Sequence, residues 1–149
     1  MADPISIAAS ACSIATLCGT IIVNVSRFVV AVNEQEDRLS EFAASISTLK
    51  GVLENVERVV NQRPRQLPFL QRQERRHEAD IRKILQACER VVYKLKNELP
   101  ETSDETRSGI ERARIQISLT LRSNVFVELR QHLASYTQVL QLSLTTMTL

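Results

Sequence analysis

Apolar residues recur along the N-terminal part of the chain in alternating steps of four and three, the spacing of one face of an α-helix. This seam consists of Ile7, Ala11, Ile14, Cys18, Ile21, Val25, Phe28 and Val32. Small and polar residues recur in steps of three or four on another face, at Ser6, Ser10, Ser13, Thr16, Thr20, Asn24 and Arg27. The two stripes predict a helix from about Pro4 to Val32, with Asp3 as its N-cap. Gly19 falls midway and either bends this helix or divides it.

Two further seams with strict heptad spacing predict a second and a third helix. The second seam is Leu39, Phe42, Ile46, Leu49, Leu53, Val56 and Val60. This helix should end before Arg63, because the residue before a proline is pushed out of the α region. The third seam is Ile81, Leu85, Cys88, Val92, Leu95 and Leu99. The third helix should begin at about Phe69 or Leu70 and end at Pro100.

The C-terminal third predicts a polar loop and two helices. Residues 101–108 are acidic and polar and are typical of a mobile loop. A short helix from Ile110 to Leu121 carries Ile110, Ile117, Leu119 and Leu121. Ser123-Asn124 offers an N-cap to a last helix with Val125, Leu129, Leu133, Tyr136, Leu140, Leu144 and Met147. Since this pattern continues to the last residue, we expect the chain to be the N-terminal domain of a longer protein.

These elements predict an all-α fold, an antiparallel bundle of four to five helices with an apolar N-terminal helix, in one domain over residues 1–149. Composition agrees, because three Gly, four Pro and no Trp in 149 residues disfavour an all-β chain. The three cysteines, Cys12, Cys18 and Cys88, lie in apolar segments without CxxC spacing. That pattern predicts reduced core thiols in a cytoplasmic protein.

Motifs for catalysis, metal binding and phosphate binding do not occur in the sequence. His77 and His132 have no Cys, His or carboxylate at metal-ligand spacing, and no GxSxG or GxxxxGK[ST] motif is present. A net charge of +2 is too small to require a nucleic-acid partner. We therefore expect a protein that is not an enzyme, with no cofactor, no metal and no nucleic acid.

The N-terminal segment is also long and apolar enough for a membrane. From Pro4 to Ser26 there is no charged residue, although 24% of the whole chain is charged. As a helix this segment reaches roughly 34 Å, against about 30 Å for the hydrocarbon core of a bilayer. No basic stretch precedes it, which argues against a signal peptide. In a membrane, a stripe of Ser6, Ser10, Ser13, Gly19 and Thr20 would allow close helix association or face water, whereas in water the apolar seam would pack in the bundle.

Arginines crowd around the connector between the second and third helices. They are Arg58, Arg63, Arg65, Arg72, Arg75 and Arg76. One interpretation is a patch for anionic lipid headgroups. The other, which we favour, is a solvated loop whose arginines cap carbonyl groups at a helix end.

The opening sequence DPISIAASACSIATLCGTII resembles the fungal N-terminal domains of STAND (NLR-like) receptors, the HeLo-like group. Residues Asp3 to Ser10 follow the order typical of that group, and Gly19 matches a later glycine of its pattern. Ser13 stands where an earlier glycine is expected, which weakens any glycine-zipper packing. The later heptads agree with the group in layout across the rest of the chain.

The resemblance implies a helical bundle at the head of a receptor that forms homo-oligomers on activation. In relatives, similar in kind to the bundle of the mixed-lineage kinase-like pseudokinase, the N-terminal helix leaves the bundle and inserts into membrane. Programmed cell death follows, in heterokaryon incompatibility and fungal innate immunity. The resemblance thus predicts a cytoplasmic effector that moves to anionic membranes. The alternative is a helical interaction or oligomerisation module that recruits a protein partner and never enters lipid.

Overall fold

A computed structural model of the chain contains five α-helices in the residues that it describes. The backbone is described for residues 4–31, 37–62, 68–99 and 107–148, and the side chains for 7–26, 39–61, 79–99, 112, 115–117 and 119–146. The helices are α1 (Pro4–Ala31), α2 (Asp37–Gln62), α3 (Pro68–Glu98), α4 (Arg107–Arg122) and α5 (Asn124–Thr148). These ranges contain no β-strand, so the predicted all-α class is confirmed.

The helix boundaries differ from the predicted ones by a few residues. The first helix is continuous through Gly19, so this glycine does not divide it. The third begins at Pro68, slightly earlier than predicted, because proline suits the first helical position. The fourth begins at Arg107, so the last two residues of the predicted loop are helical. The rest of that loop, and the Asp3 cap, lie outside the described residues.

The junction between α4 and α5 is a single residue, Ser123, and it caps both helices. Its hydroxyl accepts a hydrogen bond from the Phe126 N–H at 3.2 Å, which satisfies a free donor in the first turn of α5. The same hydroxyl donates to the Thr120 carbonyl at 2.8 Å, at the end of α4. The cap predicted at Ser123-Asn124 is therefore confirmed, with Ser123 as the capping residue.

Four of the helices surround one core. Helix α1 packs along α2 and also against α3, and α5 packs against the same two helices, so α1 and α5 lie diagonally across the bundle. Helix α4 packs on α5 and touches α1. Helices α1 and α2 lie side by side at their middles, where Gly19 of α1 faces Lys50 of α2.

The seams predicted for the first three helices lie in the core wherever their side chains are described. All seven seam residues of α2 are buried, and so are all six of the third seam, of which the last, Leu99, directly follows α3. At the centre, the Phe42 ring of α2 lies 5.0 Å from the Phe126 ring of α5, tilted by 59°. Tilted pairs of this kind add to the stabilisation from burial alone.

Three predicted core positions are wrong. Leu119 and Val125 are 66% and 58% exposed, and Phe126, which we did not predict, is fully buried in place of Val125. The difference is one residue, or about 100° around the helix: Phe126 continues the alternating steps of three and four to Leu129 and Leu133, whereas Val125 does not. Cys12 is exposed, because it lies outside the Ile7–Ala11–Ile14 seam. Phe28, Ile110 and Met147 lie outside the described side chains.

Candidate functional site

The N-terminal helix contributes a continuous apolar face to the core. The six predicted seam residues with described side chains are all fully or almost fully buried: Ile7, Ala11, Ile14, Cys18, Ile21 and Val25. Ala8 and Ala15 are buried beside them. Burial of each large aliphatic side chain contributes about 1.5–3 kcal/mol to the free energy of unfolding. Together these side chains hold α1 in the bundle.

The same helix is long and apolar enough to cross a membrane by length and composition. The stretch Ile7–Ser26 has a mean hydropathy of 1.7, and 39% of it is buried in the bundle. Core helices of soluble proteins and signal sequences can reach the same values. Hydropathy alone therefore does not distinguish a core helix from a membrane-active one, and the polar groups on its other face become important.

Hydroxyl groups on the outer face of α1 donate hydrogen bonds to the helix itself. The Thr16 hydroxyl donates to the Cys12 carbonyl at 2.9 Å, and the Thr20 hydroxyl donates to the Thr16 carbonyl at 3.2 Å. The Ser26 hydroxyl donates to the Val23 carbonyl at 2.8 Å. Because these donors are already satisfied, moving them from water into an apolar environment costs less than moving free hydroxyls.

Within the predicted small and polar stripe, the members with described side chains lie away from the core. Ser13 and Thr20 are exposed, and Ser10 and Gly19 are half-buried at the edges of the helix. The side chain of Ser6 lies outside the described residues. The separation of the two stripes, apolar inside and small outside, agrees with the sequence pattern.

An open groove of about 620 Å³ runs between the outer face of α1 and the neighbouring face of α2. Helix α1 lines it with Cys12, Ala15, Thr16, Gly19, Thr20, Val23 and Asn24, and α2 lines it with Lys50, Glu54 and Glu57. The α1 side of the groove is therefore uncharged, and all charged residues that line the groove belong to α2. Sequence reasoning did not find this groove, because it depends on which faces of two helices meet.

The charged edge of the groove contains an ion pair. Lys50 Nζ donates to Glu54 Oε1 at 2.8 Å, one helical turn away. Accepting this bond, the Glu54 carboxylate raises the pKa of the Lys50 amine. The two side chains are 39% and 54% exposed, so the pair contributes little to the free energy of unfolding. The stem of Lys50 lies over Gly19, where an added Cβ would stand 3.6 Å from Lys50 Cε.

The three free cysteines occupy two different environments. Cys12 is exposed at the groove, whereas Cys18 and Cys88 are buried in the core. Burial raises the pKa of the Cys18 thiol to about 12, and it does the same for Cys88. Since the thiolate is the reactive form, the two core thiols are protected both by packing and by protonation.

We expect a chromogenic disulfide reagent at pH 8 to label the exposed Cys12 quickly in the native protein. The buried Cys18 and Cys88 should be labelled only when the protein unfolds. Cys18 and Cys88 should react at least about 100-fold more slowly than Cys12, since reaction needs an opening of the core. The measurement is the release of chromophore with time, with and without denaturant. Replacing Cys12 with Ala should abolish the fast phase. Rapid labelling of all three thiols in the folded protein would contradict the buried positions.

Most side chains of the predicted arginine patch lie outside the described ones, although Arg72, Arg75 and Arg76 belong to helix α3. Only the Arg58 side chain is described; it is exposed and donates a hydrogen bond to Asn55 Oδ1 at 2.9 Å. Both interpretations of the patch therefore remain predictions. Among the described residues, no group of three or more His, Cys, Asp or Glu is placed to hold a metal ion.

Fold and site together define a class: over the described residues, an all-α bundle of five helices in which the uncharged part of the first helix, from Pro4 to Ser26, forms one wall of an open groove. In comparisons with known proteins, no family model, no curated protein and no solved structure matches the chain. The resemblance to the HeLo-like group therefore stays a prediction from the opening residues.

Proposed function

We propose that this protein is the N-terminal effector domain of a fungal NLR-like receptor that permeabilises membrane with α1. One observation carries the proposal: α1 combines an uncharged apolar face with an outer face on which Thr16, Thr20 and Ser26 satisfy their own donors. In a helix of this composition, the backbone donors and these three hydroxyl donors are satisfied within the helix, in a protein core and in a bilayer alike. The bundle is then the resting state, and the inserted helix is the active state.

Release of α1 has a cost that activation must offset. The large side chains Ile7, Ile14, Ile21 and Val25 leave the core, and each loses about 1.5–3 kcal/mol of burial unless lipid takes its place. A single helix of this kind binds lipid only marginally. When a receptor forms homo-oligomers, several α1 helices reach the membrane together, and their binding is strengthened by effective concentration.

The proposal includes partners and a location. The protein associates with itself on activation and moves from the cytoplasm to anionic membrane. The proposal thus requires the lipid-headgroup interpretation of the arginines around residues 58–76, and not the solvated loop that the sequence alone favours. The outcome would be regulated cell death in fungal non-self recognition. The mechanism needs no enzyme activity and no cofactor.

Dye release from anionic vesicles tests the proposal. We would compare the 149-residue protein with the same protein fused at its C-terminus to a tetrameric coiled coil, at equal concentration. Release is expected from the fused form at concentrations at least about 100-fold lower, because linking the domains supplies avidity. Neutral vesicles serve as the control for the headgroup requirement.

The second candidate is an interaction module that stays folded. The groove between α1 and α2 favours it, since an open groove lined by an uncharged helix face suits a helical segment of another protein. This function predicts a defined complex and no dye release from either form. Absence of release from a folded, clustered protein would therefore overturn membrane permeabilisation and favour the module.

A further inference from the structure

The outer face of α5 carries apolar residues that no other helix of the described chain covers. Val125, Val139 and Leu142 are 58%, 40% and 68% exposed. Around Val139 and Leu142, the residues Ser135 and Gln138 complete the i, i+3, i+4, i+7 spacing of one helix face. We call Ser135, Gln138, Val139 and Leu142 the α5 ridge.

The ridge lies in a part of α5 that has no charged residue. From Gln131 to Leu149 the sequence contains no Asp, Glu, Lys or Arg, although the whole chain is 24% charged. Exposed faces of helices in monomeric proteins normally carry charges, and contiguous apolar exposure marks contact surfaces. The surface that covers this ridge must itself offer an uncharged wall, because burying an unpaired charge against Val139 and Leu142 is costly.

The groove between α1 and α2 offers that wall on the same molecule. Its α1 side is uncharged and made largely of small residues, so it is concave where the ridge is convex. Along α1 the groove runs from Cys12 to Asn24, about 18 Å, enough for three turns of a helix. At its other edge lie the Glu54 carboxylate, which already accepts from Lys50, and the Glu57 carboxylate, which is an acceptor for an amide donor such as Gln138. The sequence from Gln131 to Leu149 contains no acid that would repel them.

Position in the bundle decides how the two surfaces can meet. Helices α1 and α5 lie diagonally across the bundle, so their outer faces point away from one another. One molecule cannot cover its own ridge with its own groove. Two copies can, with the ridge of one in the groove of the next, which is a heterologous, head-to-tail contact.

We propose that the intact bundle associates with itself head to tail, the α5 ridge of one copy docking in the α1–α2 groove of a second copy. This contact joins folded bundles in water and needs neither lipid nor release of α1. It therefore stands apart from the membrane proposal. Because the interface is heterologous, each dimer leaves one free ridge and one free groove, and further copies can add.

Sedimentation of the 149-residue protein over a concentration series, without lipid, tests the contact. The protein is expected to exceed the monomer mass as concentration rises. Leu142→Glu on the ridge and Thr16→Glu in the groove should each weaken association at least about 30-fold, as central interface residues do. Leu119→Glu, which replaces an equally exposed apolar residue on α4, is the matched control and should leave the association unchanged.

Mixing the two variants gives the decisive result. Leu142→Glu keeps an intact groove and Thr16→Glu keeps an intact ridge, so together they should form a dimer and nothing larger. Circular dichroism of each variant verifies that the bundle is folded. Monomer at every concentration up to about 1 mM, association that survives Leu142→Glu, or a mixture that stays monomeric would each overturn the proposal.

Discussion

Ile14→Asp is expected to abolish dye release from anionic vesicles, even when the protein is clustered. Ile14 is fully buried on the apolar face of α1 and lies near the middle of Ile7–Ser26. Asp in place of an aliphatic residue at the centre of a membrane helix raises the free energy of insertion by about 3 kcal/mol or more. The equilibrium constant for inserting each helix should therefore fall at least about 100-fold. With several helices needed together, no release should be measurable.

The matched control for this variant is Leu85→Asp on α3. Leu85 is also buried, at 1% exposure, so both variants place an unpaired charge in the core and destabilise the bundle. Their effects on release should have opposite signs: Leu85→Asp loosens the bundle around an intact α1 and should increase release. If both variants abolish release, or both increase it, α1 is not the inserting element.

Phe42→Ala is expected to lower the free energy of unfolding by about 3–5 kcal/mol. The Phe42 ring is completely buried and packs against the Phe126 ring, so its loss removes apolar contacts from α2 and α5 together and leaves a cavity between them. The measurement is urea unfolding at 25 °C, followed by the far-ultraviolet circular dichroism signal. For a small domain this loss is a large share of its stability.

Tyr93→Ala is the control for the stability measurement, since Tyr93 is 55% exposed on α3. Its effect should stay within about 0.5 kcal/mol, the usual range for surface positions. If Phe42→Ala lowers the free energy of unfolding by less than about 1 kcal/mol, Phe42 is not packed in the core.

Much of the first half of the fold could be predicted from the spacing of apolar residues. Helices α1, α2 and α3 each carry a seam in steps of three and four, and each described seam residue is buried, because a face of such spacing stays on one side of a helix. Predictions of buried positions were less accurate in the C-terminal third of the chain. In α4 and at the start of α5, Leu119 and Val125 were assigned to the apolar pattern and yet face solvent.

The error at Val125 concerns which of two adjacent apolar residues faces the core. We assigned Val125 to the seam, but only Phe126 continues the alternating steps of three and four that run through Leu129, Leu133, Tyr136 and Leu140. The structure buries Phe126 in agreement with that spacing. Cys12 is a similar error: it lies among apolar residues in sequence, but its direction on the helix takes it out of the core.

By itself, the sequence determined the helical class, the core faces of α1 to α3 and the absence of charge from Pro4 to Ser26, since each of these follows from residue type and helical spacing. Only the tertiary structure decided that α1 lies against α2 to form a groove, that the α5 ridge is left uncovered, and that the two surfaces point away from each other. These relations depend on which helices become neighbours. Neighbours are chosen by how side chains from distant parts of the chain pack together, and no local spacing encodes that choice.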